Sequence, residues 1–360
     1  MVSIFTTKAC VEDFHLQDNA WFKMIRKLKK VYVNDDPFSE CDESNPDDDL
    51  FLTLDEMGVK LVDDEKAFIN DIPKNPSSVL NHPCGIYLLD IDDSLANQIQ
   101  EDYGVICQSI GNLNDKPLTQ SHFSNELNED SEGLSWSKMF AHYKQLPSNS
   151  FLIIDAHLFE NDRFDENQNV YDPQRSIGIN NLYEIISTLL PNQFNGEFHI
   201  GILLTDYDIA KSMGKVRTNL TNKRISKAIH RLKERLDCSY KDNLIIEVFF
   251  FDCRDDRHRM IHNRRILSNY FIITADYRLA ALRNGRSTVD QSVTIFPLFE
   301  NINNDPDSDK KEKRISYEIR KFKEFFISQT RSVGPTALFL QNNRTMEDFN
   351  DMKNRLIKIS

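Results

Sequence analysis

The stretches SFLIIDAHLF (150–159), INNLYEIISTLL (179–190) and EFHIGILLTD (197–206) decide the fold. The first and third are short apolar runs that end on a polar residue, the pattern of strands buried on both faces. The second places Leu182, Ile185, Ile186 and Leu189 on one helical face. Strand, helix, strand is the βαβ unit of a largely parallel sheet. The order continues with the helix RISKAIHRLKERL (224–236), whose core side is Ile225, Ile229, Leu232 and Leu236, and the strand NLIIEVFFFDC (243–253). RRILSNYFIITAD (264–276) supplies one or two strands more, and SVTIFPLF (292–299) another.

Upstream, GIYLLDI (85–91), a helix from Ser94 to Tyr103 and the strand YGVICQSI (103–110) form a second β-α-β unit. Residues 18–33 read as an amphipathic helix, and 34–51 as an acidic solvated loop. Residues 111–133 read as a long polar loop. After Phe299, 301–314 reads as a charged linker and 315–360 as a helical C-terminal segment. Ile315, Ile319, Phe322 and Phe326 share a face there, and a last helix is expected to open at Thr345. The expected division is therefore an acidic α/β region over 1–149, a mixed sheet flanked by helices over 150–300, and the linker and helical tail.

Charge follows the same division. The 360 residues carry a net charge of −12. Residues 1–150 hold 12 basic and 27 acidic side chains, and the remaining 210 hold 32 and 29. The average argues against general polyanion binding, yet basic residues cluster in two places. Lys211–Arg235 contains nine Lys and Arg against Glu234 alone, and RDDRHRMIHNRR (254–265) holds five arginines and two histidines. Arginine forks match phosphate oxygens, so Arg254, Arg257, His258, Arg259, Arg264 and Arg265 form a candidate anion site. A solvated turn with charges paired to Asp255 and Asp256 is the plainer alternative. The six cysteines include no CxxC pair, and no apolar run is long enough to span a bilayer. A cytoplasmic setting without disulfides is expected. No phosphate loop, dinucleotide fingerprint or zinc spacing occurs, so neither a cofactor nor a resident metal is expected.

The string HNRRILSNYFIITADYRLAAL (262–282), with the order of elements before it, resembles the phospholipase-D-like domain at the C-terminus of MIT-domain proteins. The resemblance covers about 150–300. His262, Arg264, Ile266 and Asn269 match the family signature H-D-R-x-I-x-x-N, with Ile273 and Leu279 in register. Asn263 stands where the family has aspartate, and Asp276 and Arg278 stand near its glycines.

The resemblance implies a phospholipase-D-like fold. Active members of that superfamily use H-x-K-x4-D, in which histidine attacks phosphorus and lysine stabilises the phosphoryl oxygens. His262-x-Arg264-x4-Asn269 keeps only the outline. The resemblance therefore implies a catalytically degenerate module that binds a partner protein, an acidic lipid or a nucleic acid. Bacterial relatives implicate an accessory role in antiviral defence. A phosphodiesterase with His262 as nucleophile is the first alternative. A second motif copy, His142-x-Lys144-x4-Asn149, or a homodimer would then complete the site. A third reading is a metal-dependent PIN-like nuclease with Asp155, Asp206, Asp252 and Asp276 as its carboxylates.

Overall fold

The structure, a computed structural model, describes residues 2–358 apart from 16–19, 43, 46–47, 120, 142–145, 160–161, 163, 166–169, 172–175, 207–214, 253–263, 300–307, 329–336 and 343. Several helices and strands are described by backbone alone in part, chiefly at 205–206, 215–224, 252, 308–314 and 337–338.

Two sheets organise the described residues. The smaller contains β1 (Ser3–Thr6), β2 (Val31–Val33), β3 (Val59–Lys60), β4 (Gly85–Leu89) and β5 (Ile106–Ser109). All its pairings are parallel, in the order β3-β2-β1-β4-β5. Helices α1 (Lys8–His15), α2 (Ala20–Leu28), α3 (Asp49–Met57), α4 (Asp63–Asp71) and α5 (Asp93–Tyr103) connect its strands. Pleating sends alternate residues to opposite sides. Ile4, Ile86 and Leu88 pack with Trp21, Met24, Ile25 and Leu54, whereas Phe5, Tyr87 and Leu89 pack with Ile69, Ile72 and Ile99.

The larger sheet has nine strands: β6 (Phe123–Leu127), β7 (Ser150–Ile154), β8 (Phe198–Asp206), β9 (Leu244–Asp252), β10 (Arg264–Ser268), β11 (Phe271–Ala275), β12 (Gln291–Pro297), β13 (Ala337–Gln341) and β14 (Arg344–Met346). Their order is β14-β13-β9-β8-β7-β10-β11-β12-β6. β7, β8 and β9 run parallel, as the βαβ reading predicts, and the remaining pairings are antiparallel. Helices α6 (Ile177–Leu189) and α7 (Lys215–Arg235) cover one face. There, Leu182, Ile185, Ile186, Ile225, Ile229 and Leu232 meet Phe151, Ile153, Ile200 and Ile202. Helix α8 (Ser308–Ser328) covers the other. Its Ile315, Ile319, Phe322 and Phe326 join Leu152, Ile154, Leu203, Phe249 and Phe251 in the core that also holds Ile4 and Ile86. The two sheets thus share one hydrophobic core.

Some expectations are corrected. The helix over 18–33 stops at Leu28; Lys29 turns the chain at φ 50°, and Val31–Val33 becomes β2. Within the expected loop over 111–133, FSNEL forms edge strand β6, so the large sheet begins before residue 150. An edge strand with one buried side needs few apolar residues, which hid it. The expected linker is partly helical, because Ser308–Arg314, rich in good helix-forming Lys and Glu, opens α8. Thr345 caps no helix but pairs with Leu340 in the β13–β14 hairpin, where Asn342 (φ 44°) tolerates the left-handed turn. No helix among the described residues is long and apolar enough to cross a membrane, and no disulfide forms among the described cysteines.

Candidate functional site

The carboxyl ends of β7, β8 and β9 lie at one edge of the large sheet, together with the start of β10 and the end of β11. Open α/β sheets commonly bind ligands at this edge. It carries Asp155, the register partners Asp206 and Asp252, Arg264, Asp276, Tyr277 and Arg278.

Asp155 is fully buried. One carboxylate oxygen accepts the His157 N–H at 2.9 Å and the other the Leu279 N–H at 2.8 Å. Burial holds this carboxyl above the usual range, while the two N–H groups, Arg264 and His157 pull the other way. Asp155 thereby ties the 276–279 turn to the end of β7. Asp276 accepts the Ser292 N–H at 3.2 Å. Both carboxylates serve the backbone, and no group of three metal-ligating side chains occurs among the described residues. The side chains of Asp206 and Asp252 lie outside the described residues.

Arg264 and Arg278 both lie close to Tyr277. Their guanidinium carbons lie 5.9 and 5.4 Å from its ring centroid, within cation–π range. Tyr277 is 55% exposed, and both arginine Nε atoms, though buried, lack a hydrogen-bond partner among the described residues. The edge therefore presents an exposed aromatic ring with two cations beside it.

Arg265 does not join them. Strand pleating turns it to the opposite face, where it forms a buried ion pair with Glu318 and lies 5.8 Å from the Phe322 ring centroid. Its expected anion-binding role is therefore corrected to a packing role. Asn269 is also remote, since five residues of extended chain separate it from Arg264 by about 16 Å. It is fully buried, and its amide donates to Pro83 O at 3.1 Å and Gly104 O at 3.0 Å. The amide of Asn149 reaches the same two carbonyls. Arg254, Arg257, His258, Arg259 and His262 lie outside the described residues, as do His142 and Lys144.

The described end of the basic helix α7 is partly committed internally. Lys233 donates to Leu244 O at 3.0 Å, and Arg235 donates to Asn180 at 2.7 Å while covering the Tyr183 ring at 4.0 Å. Burial lowers the Arg235 pKa.

At the opposite end of the strands, where the two sheets meet, lies a cavity of about 570 Å³ that sequence reasoning missed. Ser3 and Gly85 open onto it from the small sheet and His199 from the large one; Lys323, Lys353, Arg355 and Lys358 complete its wall. Ser3, Gly85, His199, Lys323 and the 353–358 segment are far apart in sequence, so no local motif marks the cavity. Glu247, buried in β9, holds the 353–358 segment in place by accepting the Lys353 and Asn354 N–H groups at 2.7 and 2.8 Å. Burial raises its pKa against those bonds. Among known proteins, the chain matches no family profile and shows no significant similarity to a curated sequence.

Proposed function

We propose that this chain is a non-catalytic, phospholipase-D-like binding module. In this reading, the Arg264–Tyr277–Arg278 cluster recognises a phosphate-bearing ligand, with single-stranded nucleic acid the preferred class. Two guanidinium groups lie within cation–π range of one exposed tyrosine ring, and this carries the reading. Such a cluster can stack a base while arginine neutralises phosphate. Nucleic acid is favoured over acidic lipid because a lipid headgroup offers no base for the ring. Absence of turnover is supported by Asn269, which spends its amide on two carbonyls at the far end of β10. The bacterial-defence setting rests on the resemblance of 262–282 alone.

The test is fluorescence anisotropy with a labelled single-stranded oligonucleotide across salt concentrations, with anionic vesicles as a second arm. Affinity should fall as salt rises, and R264Q/R278Q should weaken it about tenfold or more and flatten the log–log slope by about two. Unchanged affinity in that variant, or vesicle binding alone, would reject the reading. Metal-free phosphodiester hydrolysis abolished by His262→Ala would replace it with the phosphodiesterase.

A further inference from the structure

The cavity between the sheets concentrates positive charge in an acidic protein. His82, His199, Lys323, Lys353, Arg355 and Lys358 line it, and no carboxylate does. Two acids stand close by. Glu197 lies 3.4 Å from Lys353 Nζ and 3.5 Å from His199 Nε2, and Glu65 lies 3.6 Å from His82 Nε2. Lys323, Arg355 and Lys358 make no ion pair among the described residues. Among the described residues Arg355 donates to Asn149 O at 3.2 Å, its guanidinium carbon lies 5.9 Å from the Phe194 ring centroid, and it feels the Glu197 carboxylate beyond ion-pair distance.

His199 lines the same cavity. Its side chain is 6% exposed, yet neither ring nitrogen has a hydrogen-bond partner among the described residues. A buried polar side chain is normally satisfied, so an orphaned ring on a cavity wall marks a place for an acceptor or donor from a ligand. The surrounding cations fix the ligand's sign. Burial and the nearby Arg355, Lys353 and Lys358 keep the ring neutral, with its pKa pushed down to about 2. A neutral imidazole still offers one N–H to an anion. Phe5, Ile319 and Leu356 give the cavity an apolar part, and its volume falls in the usual range for small-molecule sites.

We propose that this cavity binds a small polyphosphorylated ligand, up to the size of a nucleoside triphosphate, through Lys323, Arg355, Lys358 and the orphaned His199 ring. Lys323 and Lys358, which pair with no carboxylate among the described residues, and Arg355, which feels Glu197 only beyond ion-pair distance, suit a chain of phosphates better than a single carboxylate. The ligand would bridge β1 and β4 of the small sheet, α8, and the 353–358 segment, and so brace the junction of the two sheets. The site is independent of the Arg264–Tyr277–Arg278 edge, which lies at the other end of the strands.

The experiment titrates the full chain with tripolyphosphate and, separately, with ATP, by calorimetry and thermal unfolding. Both should bind and raise the melting temperature, and K323Q/K358Q should weaken binding about tenfold or more. Equal affinity for the two ligands identifies the phosphate chain as the recognised element, and tighter ATP binding adds the nucleoside. Both side chains have exposed portions, so the variant should melt without ligand at or above the wild-type temperature. Hydrogen exchange on the wild-type chain gives a reading that no variant can confound: bound ligand should slow exchange at 80–85 and 353–358. The proposal is overturned by absence of binding at millimolar ligand, by undiminished binding in K323Q/K358Q, or by protection confined to 264–278. R264Q/R278Q should leave binding at the cavity unchanged, which separates this result from the oligonucleotide test.

Discussion

Asn149 and Asn269 converge on the same two acceptors: each side-chain amide reaches Pro83 O and Gly104 O, and Asn269 Oδ1 also accepts the Asn149 N–H at 3.3 Å. One residue precedes β7 and the other follows β10, so the pair clamps the large sheet onto loops of the small one. Asn269→Ala should destabilise the chain by about 1–3 kcal/mol, because buried carbonyls lose a donor. Asn269→Asp should be worse, since it sets a carboxylate against two carbonyl oxygens. Urea unfolding would check both, and a stable Asn269→Asp protein would refute the clamp.

Gly104 is the other half of that clamp. It ends α5 at φ +59°, and a Cβ there would sit 1.9 Å from Ser148 O. Gly104→Ala should therefore cost more than about 2 kcal/mol, combining left-handed strain with backbone collision. A melting temperature within a degree or two of wild type would contradict this.

The Arg265–Glu318 pair joins β10 to α8 in a buried setting. Removing either partner alone should cost about 3–5 kcal/mol by leaving a buried charge uncompensated. The double change Arg265→Met with Glu318→Leu should recover most of that loss. A double-mutant cycle in urea measures the coupling, and additive losses would show that the pair does not act as a unit.

His199 makes stability pH-dependent. Its folded-state pKa is lowered to about 2 by burial first and by Arg355, Lys353 and Lys358 second, so below about pH 6.5 the unfolded chain takes up the proton preferentially. The contribution is complete above that pH and is lost as pH falls from there towards 2. Between pH 7 and pH 5 the loss should reach at most about 2 kcal/mol. Urea midpoints of wild type and His199→Gln at the two pH values give the test: the variant should lose less stability on acidification, and equal losses would reject the assignment.

Tyr277 supplies the stacking face of the proposed nucleic-acid site. Tyr277→Ala should weaken oligonucleotide binding by about 1–3 kcal/mol while leaving the salt dependence nearly intact, because no charge is removed. Its ring is largely exposed, so thermal stability should change little. Loss of the salt dependence together with affinity would mean that the ring acts by holding the arginines.

Much of the fold was legible because burial on both faces leaves continuous apolar runs. SFLII, HIGILL and IIEVFFF announce β7, β8 and β9, and the helical stripes of α6, α7 and α8 fall on the residues that the spacing names. Edge elements were not legible. FSNEL has a single buried side, and the partner of ALFLQ, β9, lies almost a hundred residues away. The candidate site was legible in part for the same reason. Arg264 and Arg265 are neighbours in sequence, but only the strand's pleat separates the one at the edge from the one in the core. Tyr277 and Arg278 belong with Arg264 through the β10–β11 pairing, which spacing alone does not reveal.

Of the cations on the cavity wall, Lys353, Arg355 and Lys358 are close in sequence, and Lys323 reaches them from α8. In the unfolded chain Lys323 hardly feels the other three; folding brings it against them. The repulsion between Lys323 and the 353–358 cations is thus a cost carried by the native state alone, concentrated at the seam between the sheets. The seam is held against that repulsion by short-range contacts such as Glu247 on the Lys353 and Asn354 N–H groups. It follows that dissolved salt, which weakens surface ion pairs elsewhere, should tighten this junction by screening the charges across it.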